Sequence, residues 1–298
     1  MILIYVLLIQ LINTALTLKK YADLPDQYRT GHVDIGLVDS SGRLWLALRG
    51  MGLLSYSKGR WSETNSTNGL ISNGITSAVQ KRNGLLCFAG IEGINILDGS
   101  DWQHISFEQI GLLGSRPLIF SITENFAGNL IIGANGGVAI QQNDEWRHYT
   151  ADNGLHDNIV HDVQLDKKGN LWAATRKSGI NALIDGKWQY FFNDRNARKI
   201  LISPDNHIWV AAAPGVLEYD QSVWKRHKSD INYSLFPIFV DSRQRIWFYE
   251  EENKAISLYE NSNWVSLTLE IPVDMVFQSD QNQIFIVSGG SVYQLNNF

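Results

Sequence analysis

The sequence is poor in cysteine and contains no run of positive charge. Its one cysteine, Cys87, has no partner for an intrachain disulfide, so the fold must be stabilised by an apolar core. The 25 Lys and Arg residues are outnumbered by 30 Asp and Glu residues, which gives a formal net charge of -5. Because polyanions are bound through clustered positive charge, nucleic acid is disfavoured as a partner.

Long apolar runs are also missing. The most apolar segment, residues 1–15, is shorter than the roughly 20 residues that a membrane-spanning helix needs, so no membrane span is predicted. It has the length of a signal-peptide core, with Thr14 and Ala15 before a possible cleavage point, but it has no basic start. We predict a signal peptide at residues 1–15 and a periplasmic or secreted location; a buried N-terminal strand and a wrongly assigned start codon are the alternatives.

The motifs that usually carry catalysis are lacking as well. No segment keeps helical spacing, so no glycine-rich phosphate loop can open a helix. The seven histidines show no metal-ligand spacing. His161 and Asp162 are neighbours on a predicted strand and point to opposite sides, so they cannot form a catalytic pair. We therefore predict no cofactor, no metal and no catalytic residues, and consider an enzyme less probable than a binding module.

The sequence does contain ten tryptophans, and they fall into two columns. The first column follows a short polar turn and recurs about every 37 to 44 residues, a spacing typical of four-stranded repeats. Its seven positions are Trp45, Cys87, Ile131, Trp172, Trp209, Trp247 and Phe285. The other column lies fifteen to seventeen residues further on and comprises Trp61, Trp102, Trp146, Trp188, Trp224 and Trp264.

Each repeat therefore contains four predicted strands. A polar turn joins the first strand to the second, which contains the first tryptophan column. A glycine loop leads to the third strand, and the fourth strand begins with the other tryptophan column. In the polar turns Asp39, Asn125 and Asp166 each precede a glycine by three residues, as in hairpins capped by an Asx side chain. A single repeat cannot bury both of its faces, so the repeats must stack around an axis. The sequence predicts an all-β chain, one seven-bladed β-propeller over residues 16–298.

The last repeat predicts how the ring closes. It ends without a Trp-led fourth strand, whereas residues 16–25 resemble the fourth strand at 145–155 and precede the first repeat. We expect this N-terminal strand to complete the last blade.

Residues 152–183 and 67–97 resemble the two-component regulator propeller repeat. They contain its Gly-Leu pair, an Asn, alternating apolar residues and a turn ending in Gly, with the following Trp present at 172. The resemblance implies a periplasmic sensing domain of the kind joined to histidine kinases or transcription regulators. Since the sequence given contains no kinase or DNA-binding segment, we expect sensing or binding without a direct signalling output.

The first strands predict a site. Their first aligned residue is mostly apolar and should belong to the core: Val33, Ile75, Ile119, Val160, Ala197, Leu235 and Val273. The next residue should line the mouth of the central channel: Asp34, Thr76, Phe120, His161, Arg198, Phe236 and Asp274. Loop residues join this ring: Arg49, Glu92, Asn135, Arg176 and Glu250.

From this ring we predict ligand-binding residues Asp34, His161, Arg198, Asp274, Arg49, Glu92 and Arg176. Ordinary solvated loop charges that pair with one another are the alternative. The predicted function is a ligand-sensing or ligand-binding module for a small molecule or glycan. Two alternatives remain: a scaffold that docks proteins on its top face, and a lyase of the streptogramin-lyase type that uses His161, Asp34 and Asp274. Asn73 and Asn158 are predicted to cap loop backbone, and Cys87 to be a small buried hydrophobe.

Overall fold

The structure, a computed structural model, describes residues 17–143, 145–192, 197–267 and 269–296. The predicted signal peptide at residues 1–15 lies outside the described residues. Seven four-stranded antiparallel sheets make up the fold, which confirms the predicted seven-bladed β-propeller. The described part of the chain starts with β1 (Thr17–Asp23), and blades 1 to 3 follow with β2 (Val33–Val38), β3 (Leu44–Leu48), β4 (Gly52–Ser57), β5 (Arg60–Thr64), β6 (Ile75–Gln80), β7 (Leu86–Gly90), β8 (Gly93–Asp98), β9 (Asp101–Ser106), β10 (Ile119–Glu124), β11 (Leu130–Ala134), β12 (Gly137–Gln142) and β13 (Glu145–Tyr149).

Blades 4 to 7 repeat the same order, with three strands in the last stretch of chain. They contain β14 (Val160–Leu165), β15 (Leu171–Thr175), β16 (Gly179–Ile184), β17 (Lys187–Phe192), β18 (Lys199–Ile202), β19 (Ile208–Ala211), β20 (Val216–Tyr219), β21 (Trp224–His227), β22 (Phe236–Val240), β23 (Ile246–Glu250), β24 (Ala255–Glu260), β25 (Asn263–Leu267), β26 (Met275–Gln278), β27 (Ile284–Ser288) and β28 (Ser291–Asn296). The first strand of every blade packs against the first strands of both neighbours, so these seven strands form a closed inner ring.

The ring closes as the last repeat predicts. Strand β1 pairs antiparallel with β28, from Thr17 opposite Asn296 to Asp23 opposite Ser291. The Ser291 hydroxyl donates to the Asp23 carboxylate at 2.5 Å, between the last two residues of that pairing. Blade 7 therefore contains both ends of the described chain, and its edge is covered by β1.

The polar turn before the first tryptophan column does more than turn the chain. Asp39 caps its hairpin by accepting from the amides of Ser41 and Arg43, while Gly42 takes a φ of +80°. Its other oxygen accepts from the indole Nε1 of Trp45 at 2.8 Å. The same Asp–Trp bond recurs in blades 4 and 6, between Asp166 and Trp172 at 3.2 Å and between Asp241 and Trp247 at 2.8 Å. The turn and the buried tryptophan therefore share one carboxylate.

Blade 5 departs from this arrangement. Ser203 stands where blades 1, 4 and 6 have Asp, and its hydroxyl caps the turn by accepting from the amide of His207. Trp209 is buried, and within the described part of the chain its indole Nε1 has no hydrogen-bond partner. A serine is too short to serve the turn and the tryptophan together.

The predicted core column is confirmed. The seven apolar residues at or just before the start of the first strands are all buried, none more than 3% exposed: Val33, Ile75, Ile119, Val160, Ala197, Leu235 and Val273. Cys87 is fully buried as well, and burial raises the pKa of its thiol to about 12. This thiol is a small core group, as predicted.

One short helix was not predicted, α1 (Phe107–Ile110), which lies between blades 2 and 3. The Ser106 hydroxyl accepts from the Gln109 amide, and the Gln109 side chain accepts from the Ser106 amide in return. Four residues are too few to give a helical period in the sequence. No helix in the described ranges has the length and apolar content needed to cross a membrane.

Candidate functional site

In blades 1 to 5 a β-bulge near the start of the first strand places one side chain in the central channel; in blade 6 the bulge lies two residues further along the strand, at Ile238. In blades 1 to 4 the pairing with the second strand shifts by one residue there, for example between Val160 and Asp162. In blade 5 the amides of both Arg198 and Lys199 face Ala211, which is the same two-against-one arrangement. A bulge leaves its extra residue out of the ladder and redirects it. The redirected residues point toward the axis.

These residues line one channel of about 860 Å³. We call the end that they surround the channel mouth, and its seven side chains are Asp34, Thr76, Phe120, His161, Arg198, Phe236 and Asp274. Arg49 of the predicted loop residues lies there too. The channel continues to the opposite face, where Ser279, Asp280 and Asn282 line it.

Two acidic residues of the channel mouth are held in ion pairs. The guanidinium of Arg49 contacts Asp34 at 2.6 Å, and His32 lies 3.5 Å from the same carboxylate. Lys254 contacts Asp274 at 2.9 Å. Both carboxylates therefore have a positive partner in the absence of any ligand.

Below the mouth a buried carboxylate joins three blades. Asp162 accepts from the Ser121 hydroxyl of blade 3 at 2.6 Å and from the Ile200 amide of blade 5 at 2.8 Å. The ammonium of Lys199 lies 3.2 Å from the same side chain, which is only 1% exposed. This network fixes the first strands on either side of His161 and Arg198.

His161 is oriented by the backbone of the next blade. Its Nδ1 lies 3.0 Å from the carbonyl oxygen of Ala197, and because a carbonyl only accepts, Nδ1 carries the proton. The ring meets Phe120 edge to face at 5.4 Å. Burial, opposed by that backbone bond, lowers the pKa of His161 below its usual value. The imidazole is thus neutral at pH 7 and can accept a hydrogen bond at Nε2.

Arg198 borders a second cavity. Its guanidinium lies 5.0 Å from the centre of the Phe236 ring and 3.8 Å from Glu251. The cavity measures about 450 Å³ and opens beside the channel mouth between blades 5 and 6. We call it the side lobe; it is lined by His161, Arg198, Ala213, Asn232, Tyr233, Ser234, Phe236, Glu251 and Glu252.

Two of the proposed site residues lie elsewhere. Glu92 and Arg176 do not line the channel or the side lobe, because their loops are attached to the neighbouring connections through the Pro117 and Ile159 carbonyls. Glu250 is engaged with Tyr233, Asn253 and Ser257, so it is a structural group.

Among the further loop residues, Asn135 is also outside both cavities and donates to the Ser115 hydroxyl at 3.2 Å. Asn73 and Asn158 cap loop backbone as predicted, accepting from the amides of Ser66 and Ala151.

Lys199, Glu251 and Lys254 were missed by the sequence analysis. Lys199 belongs to the column after the one considered, and the two others lie on a loop whose length differs between blades. The only available sequence signal for them was their charge, which they share with many solvated residues.

The fold and the channel define a closed seven-bladed propeller with a polar mouth on one face. Residues 154–177 match the model of the family described as two component regulator propeller, which confirms the predicted repeat. No curated protein matches the sequence.

Several solved propellers have a similar fold. An extracellular domain from B. thetaiotaomicron assigned to the hybrid two component system BT3049 gives a TM-score of 0.73 at 19% identity over 89% of this chain and 39% of its own. The extracellular domain of BT4673 from the same organism gives 0.76 at 16% identity over 93% and 42%. A catalytically inactive virginiamycin B lyase from Staphylococcus aureus with quinupristin gives 0.73 at 13% identity over 94% and 99%. The chain spans about two fifths of the two extracellular domains.

Proposed function

We propose that this chain is a ligand-binding module of the sensor type, which takes up a small polar molecule or glycan at the channel mouth. The observation that carries the proposal is the convergence of side chains from all seven blades on one cavity. They combine carboxylate, guanidinium, imidazole, hydroxyl and aromatic groups. A volume of about 860 Å³ falls in the range usual for small-molecule sites.

The likeness to extracellular domains of two-component systems supports this proposal at the level of the fold. It equally supports a periplasmic or secreted location. A sensor of this kind would pass its ligand state to a partner protein through the same face. Met51, Ile91 and Leu113, which are exposed apolar side chains of that face, favour the docking of proteins as the second candidate function.

A lyase activity has less support. Its carboxylates would be Asp34 and Asp274, and both are already engaged with basic side chains at 2.6 and 2.9 Å. A substrate would have to displace those basic side chains before either carboxylate could take a proton from it. His161 keeps an open Nε2, but it has no carboxylate on Nδ1 to stabilise an imidazolium.

The test is a thermal-shift screen of the purified protein against a metabolite and glycan library, followed by titration of the strongest binder. We expect Arg198→Ala and Arg49→Ala to weaken binding by about tenfold or more, since each removes a charged hydrogen-bond donor. The Arg49 side chain is 67% exposed and the Arg198 side chain is 50% exposed, so neither substitution should affect folding.

The matched control is Arg243→Ala, an exposed arginine in the β22–β23 hairpin on the opposite face. It should bind as the wild type does. Unchanged affinity in the two mouth variants, together with loss in Arg243→Ala or Lys168→Ala, would place the site on the other face.

A further inference from the structure

The charges of the channel mouth are mostly compensated in pairs. Asp34 with Arg49 and Asp274 with Lys254 form two of them, at 2.6 and 2.9 Å. The deeper Asp162 has Lys199 at 3.2 Å. A ligand would have to break one of these contacts to use the charge. The charges that remain open lie in the side lobe.

Arg198 is the positively charged residue of the side lobe. Within the described part of the chain its guanidinium makes no hydrogen bond, since Glu251 at 3.8 Å is beyond hydrogen-bond distance. The two side chains are 50% and 63% exposed. The Phe236 ring beside the guanidinium restricts its position while leaving N–H groups for a planar acceptor. This geometry suits a carboxylate, which two parallel N–H groups can bind together.

The side lobe also presents two open carboxylates. Glu252 forms neither an ion pair nor a hydrogen bond with any residue that the structure describes, and Glu251 has only the long contact to Arg198. With His161 neutral, the lobe carries one positive and two negative charges. A ligand that is only anionic would be repelled by the glutamates, and one that is only cationic by Arg198. A ligand with both charges would satisfy both sides.

We propose that the side lobe binds a zwitterionic α-amino acid with an apolar side chain. Its carboxylate would be bound by Arg198, its ammonium by Glu251 and Glu252, and its side chain would pack against Phe236. The open Nε2 of His161 provides a further acceptor for the ammonium group. This inference rests on the proposed function and narrows it to one ligand class.

The experiment compares three probes by calorimetric titration of the full chain: L-phenylalanine, L-phenylalaninamide and N-acetyl-L-phenylalanine. The amide has no carboxylate and the acetyl derivative has no ammonium. We expect L-phenylalanine to bind. Each analogue should have an affinity at least about tenfold lower, because each loses one charge-assisted contact. L-leucine, titrated in parallel, should also bind, because it carries the same two charges and an apolar side chain.

Variants assign each charge to its partner. Arg198→Ala should bind L-phenylalanine and its amide equally weakly, because the carboxylate has lost its site. Glu251→Gln combined with Glu252→Gln should remove the difference between L-phenylalanine and its acetyl derivative. Arg243→Ala should bind all three probes as the wild type does, and unliganded melting temperatures should be the same in every variant.

The outcomes separate this inference from the proposed function. Equal binding of the three probes, or no binding of either amino acid, overturns the amino-acid assignment. If a library compound then binds in a manner sensitive to Arg49→Ala, the proposed function stands. If no compound binds at the mouth, both fail.

Discussion

The shared carboxylate of the Asp–Trp motif allows a sharp test of how the blades are stabilised. Asp39→Asn keeps the size of the side chain and an oxygen for the Ser41 and Arg43 amides. In the wild type the indole N–H of Trp45 donates to the Asp39 carboxylate at 2.8 Å. The substitution places an NH2 group there instead, so the indole N–H loses its acceptor. Trp45 is 3% exposed, so water cannot replace that acceptor.

Leaving a buried donor without a partner costs about 1 to 3 kcal/mol. For a domain of this size we expect a fall in melting temperature of roughly 2 to 6 °C, measured by calorimetry at pH 7. The hydrogen bonds to Asp39 lower its pKa despite its burial. The stabilisation is therefore present above the unfolded pKa of about 3.9 and is lost as the pH falls below it. The destabilisation of Asp39→Asn should shrink in that acidic range.

The control is a double-mutant cycle with Trp45→Phe, which removes the donor. In the Trp45→Phe background Asp39→Asn should cost less than in the wild type, by the value of the lost indole bond. Equal costs in the two backgrounds would refute the motif as a source of stability.

Three other predictions concern closure, the tryptophan column and pH. Deleting residues 16–24 should lower the melting temperature of the whole domain, because β28 then becomes an open edge; an unchanged melting curve would contradict closure. Trp172→Ala should cost about 3 to 5 kcal/mol in denaturant unfolding, since this side chain is 3% exposed, and a loss within about 1 kcal/mol would show that it does not pack. Glu218 accepts from His207 and His227 at 2.7 Å each, and these bonds lower its pKa against the effect of burial. Its stabilisation should be present above about pH 4.3 and lost below, so Glu218→Gln should destabilise at pH 7 and converge with the wild type near pH 3; parallel curves would exclude this role.

The number of blades, their strand order and the closing strand could be predicted because each depends on local and repeating features. A column position that recurs every 37 to 44 residues, most often as tryptophan, and the turn residue before it define one blade, and seven such units leave one strand short. The column that lines the channel mouth was also predictable, because the seven repeats align at the same buried residue, whereas the bulge that redirects it in blades 1 to 5 was not predicted.

Partners across the ring could not be predicted, since the lengths of the top loops differ and charge has no repeat. Arg176 and Glu92 match the ring in sequence but lie outside its cavities, whereas Glu251 and Lys199 lie inside. The indole bond of Asp39 to Trp45 was missed because only the packed hairpin brings the two side chains together.

By itself the sequence determined a seven-bladed ring and the residues that face its axis, because these follow from a repeat that must bury its own faces. Only the tertiary structure decided which of the axial charges are paired and which are open. That choice depends on distances within and between blades, such as 2.6 Å from Arg49 to Asp34 inside blade 1 against 3.8 Å from Arg198 to Glu251 between blades 5 and 6. Residues of different blades reach such distances only after the blades have packed against one another.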